Sequence, residues 1–295
     1  MPKNGFEAVD SPYLVPADGS FQVGKALTRP RRLPGKEVSK RKLAAQVARL
    51  SELQGILYAH DYHSLLLVFQ AMDAAGKDST IRAVLTGVNP AGCEVHSFKR
   101  PTDEELSHDF LWRSARRLPE RGRIGVFNRS YYEEVLAVRV HPEFLLAQNL
   151  PRVPKKLEHL WTERYESIRD HEKHLARNGT LVLKFWLNVS REEQRRRFLS
   201  RLDEPAKNWK FESGDIAERA HWDAYMAAYE DALNATSRPW APWYAIPADD
   251  KAYMRATVAE IIVKSLQRLD LRYPQLEPDE LAQFDEMRQQ LRRDR

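Results

Sequence analysis

The chain has 295 residues, 42% hydrophobic and 30% charged, a composition that excludes a wholly disordered protein and leaves room for one large α/β domain or two small ones. No apolar run is long enough to cross a membrane, and the first residues lack the apolar core of a signal peptide, so we expect a cytoplasmic protein. The single cysteine, Cys93, excludes internal disulfides and cysteine-rich zinc sites.

The net charge of +5 is concentrated in two segments. Between Phe21 and Lys42 there are eight Lys or Arg and one Glu, and between Arg191 and Lys210 there are seven basic and four acidic residues. The rest of the chain is slightly acidic. Such local basicity predicts contacts with a polyanion, although solvated surface faces also account for charge runs of this kind.

The predicted elements begin after residues 1–36, whose Pro, Gly and basic residues indicate an extended arm. Short apolar runs then alternate with helical patterns, which predicts an α/β fold with a mostly parallel, five-stranded sheet. The expected helices are Glu37–His60, Asp78–Thr86, Thr102–Leu118, Pro154–Asn178, Ser190–Leu202, Asp215–Asn234, Asp250–Leu269 and the polar terminal helix Pro278–Arg295. The expected strands are Ser64–Gln70, Glu94–Lys99, Arg123–Asn128, Thr180–Asn188 and Trp243–Pro247.

The terminal helix carries one apolar stripe, formed by Leu281, Phe284, Met287 and Leu291. A stripe of this kind indicates either a packing element or a contact between subunits. We find no internal repeat in the chain.

The segment Ser64–Ile81 has the layout of a phosphate-binding loop: a buried strand, a run of small residues, Gly76 and Lys77, and then a helix. In such loops, backbone amides and the helix N-terminus bind phosphate oxygens and the lysine supplies a positive charge. A strand–turn–helix without any ligand is the alternative. The expected phosphate ligands are Ala74, Ala75, Gly76, Lys77, Asp78 and Ser79.

The loop departs from the usual G-x-x-x-x-G-K-[ST] pattern at two positions. Ala71 replaces the first glycine, and Asp78 follows the lysine where Ser or Thr would hold Mg²⁺. Asp73 lies within the loop, where a carboxylate would repel phosphate unless a divalent cation separated the two. We therefore predict that Asp73 is a metal ligand.

A second motif ends the strand after Gly122, with Asn128, Arg129 and Ser130 in succession. In P-loop enzymes the neighbouring strand ends in a carboxylate linked to the metal ion, and here that position is Asn128. Arg129 is placed to stabilise a phosphoryl group during transfer.

The third motif is the basic stretch Arg191–Arg219. Arg197 and Arg201 are four residues apart and share a helix face, and Lys207 and Lys210 follow the break at Pro205. A basic helix–turn–helix near a phosphate loop predicts a lid at about residues 190–225. A solvated amphipathic helix is the more common alternative.

Five motifs together resemble the polyphosphate kinase 2 family over about Glu37 to Leu269. They are Ala71–Asp78 (AMDAAGKD), Phe127–Glu133 (FNRSYYE), Arg197-Phe198 with Arg201, Lys207–Lys210 (KNWK) and Ala241–Tyr244 (APWY). The resemblance implies a three-layer α/β/α P-loop kinase fold, similar to thymidylate kinase, with a helical lid. It also implies a homo-oligomer, dimer or tetramer, that moves phosphoryl groups reversibly between inorganic polyphosphate and nucleotides. We accordingly expect an arm at 1–36, a kinase domain at 37–275 and a C-terminal helix at 276–295.

The sequence also resembles one subgroup of that family. Members dedicated to ADP typically carry Asp-Arg-Ser where Asn128 begins the motif here. With Val138–Glu143 and His108–Arg113, the pattern is similar to the subgroup that phosphorylates both AMP and ADP, so that AMP can reach ATP. Glu133-Glu134 departs from the Glu-Asp that is usual in that subgroup.

The attacking atom in such a reaction is a terminal phosphate oxygen of AMP or ADP, which is largely ionised near neutral pH. Direct in-line transfer without a phosphohistidine therefore requires positioning and charge neutralisation rather than a strong base. We expect Asp73, Asn128 and Glu133 to hold Mg²⁺, with Mn²⁺ as the alternative ion. The expected catalytic residues are Asp73, Lys77, Arg129, Arg197 and Arg201.

Two further groups complete the predicted site. We expect four basic residues to bind the polyphosphate chain further from the transfer point: Lys99, Arg100, Lys207 and Lys210. Lys99 and Arg100 are included because they end a predicted strand at the same edge of the sheet. Simple solvation of a strand end is the alternative for these two. The expected residues for binding AMP, ADP or ATP are Asn89, Arg129, Tyr132 and Glu133. Neither nucleic acid nor membrane is expected as a partner.

Three alternatives remain at this point. An ATP-dependent nucleoside monophosphate kinase would have a similar fold, although the altered phosphate loop argues against it. A non-catalytic nucleic-acid-binding protein would use the basic arm, but it gives the loop and the Asn-Arg-Ser motif no role. A scaffold with an inactive loop is the third, because Asn128 replaces a metal-binding carboxylate.

Overall fold

The computed structural model describes residues 6–211 and 214–293, without the side chains of Lys207 and Lys210. Its strands are β1 (Ser64–Gln70), β2 (Cys93–Ser97), β3 (Ile124–Asn128), β4 (Thr180–Asn188) and β5 (Trp243–Pro247). Its α-helices are α1 (Lys36–His60), α2 (Lys77–Val84), α3 (Asp103–Leu106), α4 (Trp112–Ala115), α5 (Ala137–Val140), α6 (Leu157–Arg177), α7 (Arg191–Asp203), α8 (Gly214–Ala220), α9 (Trp222–Thr236), α10 (Lys251–Gln267) and α11 (Pro278–Arg293). Short 3-10 helices include Tyr131–Val135 and Pro205–Lys210.

The strands form one sheet in the order β2-β3-β1-β4-β5, and every pairing is parallel. All seven residues of β1 are buried, which means that helices cover both faces of the sheet, because successive side chains point to opposite faces. Helix α10 packs on α1 and α2, and α6 packs on α9. The expected α/β fold with a five-stranded parallel sheet is confirmed.

From β1 the chain crosses to β2 at one edge of the sheet, returns to β3 beside β1, and then passes β1 to reach β4 on its other side, so the direction of the connections reverses at β1. In open parallel sheets, ligands bind at the carboxyl ends of the strands beside such a reversal. The loop between β1 and α2 lies at this place.

Two predicted helices were wrong in their extent. Thr102–Leu118 divides into α3 and α4 because the Asp109 carboxylate accepts a hydrogen bond from the Leu111 amide at 2.9 Å, local turn chemistry that competes with a continuous helix. The helix expected at Asp215–Asn234 is interrupted at His221, which separates α8 from α9.

The N-terminal arm packs along the edge of the sheet at β5. The Val15 amide donates to the Trp243 carbonyl at 2.9 Å, and the Ala245 amide donates to the Tyr13 carbonyl at 2.8 Å. Val15 is buried by this contact. The arm therefore covers a strand edge that would otherwise expose unpaired backbone groups. Within the described residues, no helix has the length and apolar character needed to span a bilayer.

Candidate active site

The backbone of the loop between β1 and α2 forms an anion-binding arrangement. Ala74 and Gly76 have positive φ angles of 61° and 104°, and such left-handed residues turn successive amides towards one side. No side chain caps the N-terminus of α2 at Gly76. The amides of the first helical turn thus lie where phosphate oxygens bind in proteins of this topology.

The carbonyl groups of this loop are hydrogen-bonded to other parts of the protein. The Ala71 carbonyl accepts from Lys77 Nζ at 2.8 Å, and the Asp73 carbonyl accepts from Gln194 Nε2 at 3.0 Å. The carbonyls of Ala74 and Ala75 accept from Arg197 Nη1 at 3.1 and 2.6 Å. The Gly76 carbonyl accepts from the hydroxyls of Ser79 and Thr80 at 3.0 and 2.9 Å. With its acceptors occupied, the loop presents donors to a bound group.

Lys77 folds back over the loop towards Ala71. Burial lowers the pKa of Lys77, and the nearby cation of Arg129 lowers it further, while the carboxylates of Asp73, Glu133 and Asp78 oppose this shift. A desolvated ammonium gains more from an anionic ligand than a solvated one does, because the interaction is screened less.

Arg129 lies between two carboxylates. It follows β3 with a positive φ of 63°, which is rare for a residue other than glycine and is found where function fixes the backbone. Its Nη2 donates to Asp73 Oδ1 at 3.0 Å. Glu133 contributes most to raising the pKa of Arg129, and Asp73 acts in the same direction. Because 42% of its side chain is exposed, Arg129 remains accessible to a ligand.

Two tyrosines of α9 border the same carboxylates. Burial raises the pKa of Tyr229 and of Tyr225. Glu218, which accepts a hydrogen bond from the Tyr225 hydroxyl at 2.7 Å, raises that of Tyr225 further, and the negative charges of Glu133 and Asp73 add to both shifts. Helix α9 also contacts the 3-10 helix Tyr131–Val135, which carries Glu133.

The carboxylates of Asp73 and Glu133 near Arg129 are of the ligand type that suits Mg²⁺. Within residues 6–211 and 214–293 there is no cluster of three or more His, Cys, Asp or Glu side chains that would hold a metal by protein ligands alone. Mg²⁺ is usually held by one or two carboxylates, with water and substrate phosphates completing its shell, and Asp73 and Glu133 meet that requirement. The Asn128 amide nitrogen donates to the Asp78 carboxylate and, at 3.4 Å, to Ser97. These bonds do not use the amide oxygen, which is the atom that would bind a cation.

Arg197 is placed behind the phosphate loop. Only 5% of its side chain is exposed, and its Nη1 donates to the loop carbonyls of Ala74 and Ala75. Its Nε donates to Glu193 at 2.7 Å, and its Nη2 donates to Ala248 at 2.6 Å and Asp249 at 3.3 Å. All five N–H groups of this guanidinium therefore have acceptors in the protein.

Gln194 was missed by sequence reasoning. Its side chain is buried and connects the Asp73 carbonyl to the Arg219 guanidinium, which donates to Gln194 Oε1 at 2.6 Å. This residue therefore links the phosphate loop to α8. Its position three residues before Arg197, on the same helix face, is the sequence signal that could have indicated it.

The remaining basic residues of the third motif follow α7. Arg201 forms an ion pair with Asp215 of α8 at 3.4 Å. Lys207 and Lys210 belong to the 3-10 helix after α7, and their side chains lie outside the described part of the structure. Lys99 and Arg100 are exposed after the carboxyl end of β2, on the same edge of the sheet as the phosphate loop.

Two of the residues expected to bind nucleotide lie away from the phosphate loop. Asn89 precedes β2 and caps a 3-10 helix at the amino edge of the parallel sheet, which is the opposite edge. The Tyr132 hydroxyl is buried and donates to Glu172 at 2.9 Å, while Lys184 donates to Tyr132 at 2.9 Å.

A cleft of about 550 Å³ opens beside the loop. Its volume lies within the range of small-molecule sites, roughly 300–1,000 Å³. Its lining combines apolar and polar side chains from α2 and the two residues after it, from β2 and from β3: Asp78, Ile81, Arg82, Leu85, Thr86, Val95, Ser97 and Asn128. Arg82 and Ser97 were missed from the sequence; Arg82 is one helical turn beyond Asp78, the spacing that could have indicated it.

Comparison with known proteins gives the same result from three directions. The model of the family described as Polyphosphate kinase 2 (PPK2) matches residues 34–274. An ADP-polyphosphate phosphotransferase of Rhodopseudomonas palustris is 55% identical over 84% of this chain and 86% of its own. An AMP/ADP-polyphosphate phosphotransferase of Meiothermus ruber is 47% identical over 82% of this chain and 86% of its own.

A solved structure agrees with these matches. The crystal structure of polyphosphate kinase 2 from Arthrobacter aurescens is 38% identical, has a TM-score of 0.82, and covers 95% of this chain and 99% of that one. The resemblance inferred from the motifs is confirmed. The chain belongs to the polyphosphate kinase 2 family.

Proposed function

We propose that this protein transfers a phosphoryl group, reversibly and directly, between inorganic polyphosphate and the nucleotides AMP and ADP. The observation that carries the proposal is the loop between β1 and α2, which presents backbone amides beside Lys77 and Arg129 while its carbonyls are bonded elsewhere. Two relatives named as polyphosphate phosphotransferases, 55% and 47% identical, support it.

The loop and Lys77 hold the terminal part of the polyphosphate chain. Arg129, accessible and next to the loop, offsets the charge on the three peripheral oxygens of the phosphoryl group as it moves. A phosphate oxygen of the acceptor is already ionised, so the protein orients it in line and need not remove a proton.

Asp73 and Glu133 are the residues that would hold Mg²⁺ or Mn²⁺, with Arg129 between them. A bound ion would supply positive charge that offsets the negative charge of the phosphate oxygens during transfer. Asp73 also orients Arg129 through their hydrogen bond. Asn128 is bonded to Asp78 at the cleft through its amide nitrogen, and its amide oxygen would be a third ligand of the ion.

The cleft beside α2 takes the nucleoside part of the acceptor. Ile81, Leu85 and Val95 supply an apolar wall suited to a base, and Arg82 and Ser97 supply polar contacts. The acceptor phosphate then extends past Asp78 towards Arg129. Polyphosphate continues from Lys77 towards Lys99, Arg100 and the basic segment that contains Arg201, Lys207 and Lys210.

Arg197 positions the phosphate-binding loop. Its five N–H groups are bonded to Glu193 and to four backbone carbonyls, so it supports the loop from behind. Closure over the phosphates is assigned to the segment that follows α7, with α7 itself held against the loop by Arg197 and Gln194.

The test is a time course with the purified protein, polyphosphate and Mg²⁺, run once with AMP and once with ADP as the acceptor. With AMP, we expect ADP to appear first and ATP to follow after a lag, because ADP is both product and second acceptor. ADP accumulation without ATP would restrict the acceptor to AMP, and turnover of ADP alone would restrict it to ADP. No nucleotide product from either acceptor would overturn the proposal.

A further inference from the structure

The basic segment between Phe21 and Lys42 has no part in the site described above. It carries eight Lys or Arg and one Glu, and Lys40 pairs with that Glu at 2.8 Å. Three arginines before α1 are exposed, and their side chains form no ion pair or hydrogen bond with any residue that the structure describes: Arg29, Arg31 and Arg32. The segment therefore keeps most of its positive charge available for a ligand.

Hydrogen bonds fix the backbone just before these arginines at the carboxyl edge of the sheet. Asn188, the last residue of β4, donates to the Leu27 carbonyl at 3.2 Å. The Asp249 amide, two residues after β5, donates to the Thr28 carbonyl at 3.0 Å. The arginines thus follow a backbone that is held at the same edge of the sheet as the phosphate-binding loop.

The residue that binds Thr28 is also connected to that loop. The Asp249 carbonyl accepts from Arg197 Nη2 at 3.3 Å, and Arg197 Nη1 donates to the Ala75 carbonyl at 2.6 Å. Only Asp249 and Arg197 therefore separate Thr28 from the phosphate-binding loop. The three arginines are within reach of a long anionic chain whose end is bound in the loop.

Helix α10, which begins directly after these contacts, carries a further cation. The Arg255 Nε is buried and has no hydrogen-bond partner among the described residues. Burial lowers the pKa of Arg255, and the positive charges of Arg82 and Arg197 lower it further. A buried donor that has cations as neighbours favours a bound anion, because an anion supplies both the missing acceptor and the opposite charge.

The composition of this segment favours inorganic polyphosphate over a nucleic acid. Proteins bind single-stranded nucleic acids with a basic groove and with aromatic side chains on which the bases stack. Between Lys25 and Lys42 there is no Phe, Tyr or Trp. The segment offers positive charge without a stacking surface, which suits a chain of phosphates that carries no bases.

We propose that Arg29, Arg31 and Arg32 bind a distal part of the polyphosphate chain, beyond the phosphates held at the transfer site. This inference rests on the proposed function, because it takes polyphosphate as the donor. The three arginines adjoin β4 and β5, whereas Lys99 and Arg100 follow β2 at the other end of the sheet, so they bind chains that leave the loop on the α7 side.

A distal contact makes binding depend on chain length. Once the loop holds one end of a long chain, its contact with the arginines is intramolecular and adds to the affinity. Tripolyphosphate is bound by the loop alone and gains nothing from them.

The experiment measures binding of long-chain polyphosphate and of tripolyphosphate to the full chain by isothermal titration calorimetry, at several salt concentrations. Arg31→Gln/Arg32→Gln is expected to weaken binding of the long chain roughly tenfold and to leave binding of tripolyphosphate unchanged. The slope of log affinity against log salt for the long chain should become shallower by about 0.7 for each arginine removed, as found for single-stranded nucleic acids.

Arg117→Gln/Arg177→Gln is the matched control. Both arginines are exposed and have no side-chain partner within the described residues, and they precede β3 and β4, towards the opposite edge of the sheet. This variant has the same net charge as Arg31→Gln/Arg32→Gln and should bind both ligands as the unmodified chain does.

An unmodified chain that binds no long-chain polyphosphate would overturn both this inference and the proposed function. If the unmodified chain binds it and Arg31→Gln/Arg32→Gln binds it as tightly as the control does, the distal site is wrong and the proposed function stands. Single-stranded RNA that binds as tightly as polyphosphate, with the same dependence on Arg31 and Arg32, would assign the segment to nucleic acid and overturn the inference.

Discussion

Arg197 Nη1 lies 2.6 Å from the carbonyl oxygen of Ala75, so a buried arginine of α7 is bonded to the back of the phosphate-binding loop. The carbonyls of Ala74 and Ala75 are thereby occupied on the side away from a ligand, and the loop is held against a helix from the second basic segment of the chain.

Replacing Arg197 with lysine should reduce both stability and turnover. Lysine keeps the charge but cannot reach Glu193 and four carbonyls at once, so buried acceptors lose their partners. We expect the free energy of unfolding, measured with urea, to fall by about 2–4 kcal/mol. Arg196→Lys is the matched control, because 65% of that neighbouring side chain is exposed, and its effect should stay within about 0.5 kcal/mol. Equal effects of the two changes would contradict the positioning role.

The lowered pKa of Lys77 should appear in the pH dependence of polyphosphate binding. Since burial lowers this pKa, the ammonium loses its proton at a lower pH than an ordinary lysine does, and binding by the free enzyme should weaken as the pH rises through that value. Arginine stays charged over this range. Lys77→Arg should therefore move the alkaline loss of binding to higher pH, whereas an unchanged alkaline limb would assign it to another group.

Asp73 and Glu133 should determine the requirement for Mg²⁺. Asp73→Asn and Glu133→Gln each remove one carboxylate beside Arg129, and each should raise the Mg²⁺ concentration for half-maximal activity by at least about tenfold. Asp78→Asn serves as the control, because Asp78 pairs with Asn128 at the cleft. A chelator should abolish turnover, and added Mg²⁺ or Mn²⁺ should restore it. If only Asp78→Asn shifts the Mg²⁺ midpoint, the assignment of the metal ligands is wrong.

A buried ion pair supports the segment that carries Glu133. Lys184 Nζ lies 2.5 Å from Glu172 Oε2, both side chains are buried, and Tyr131 and Tyr132 donate to the same carboxylate. Lys184→Met should cost about 3–5 kcal/mol, because it leaves Glu172 charged and unpaired in the core. Lys184→Met/Glu172→Gln should recover most of this loss in urea unfolding. Additive losses in the double variant would show that the two residues are not coupled.

The elements of the fold could be predicted from the sequence where burial of apolar residues decides the local structure. The continuous apolar run of β1 predicted a strand covered on both faces, and the structure confirms it. The division of the helix expected at Thr102–Leu118 depends on one side-chain hydrogen bond from Asp109, which a periodicity of apolar residues does not reveal.

The candidate site could be predicted from the sequence only in part. Asp73 and Arg129 follow neighbouring parallel strands, and the structure brings them to 3.0 Å as that order implies. The spacing of Arg197 and Arg201 shows that they share a helix face but not which of them is buried. The tertiary contacts of Gln194 and the burial of Tyr132 depend on packing between elements far apart in sequence.

The choice of phosphoryl donor separates a polyphosphate-dependent enzyme from an ATP-dependent kinase. Initial rates of ADP formation from AMP and Mg²⁺ are compared with either polyphosphate or ATP as donor, at equal concentrations of transferable phosphate. We expect rapid ADP formation with polyphosphate, loss of that rate in Lys77→Ala, and a far lower rate with ATP as donor. Faster transfer from ATP than from polyphosphate would contradict this expectation and would identify an ATP-dependent nucleoside monophosphate kinase.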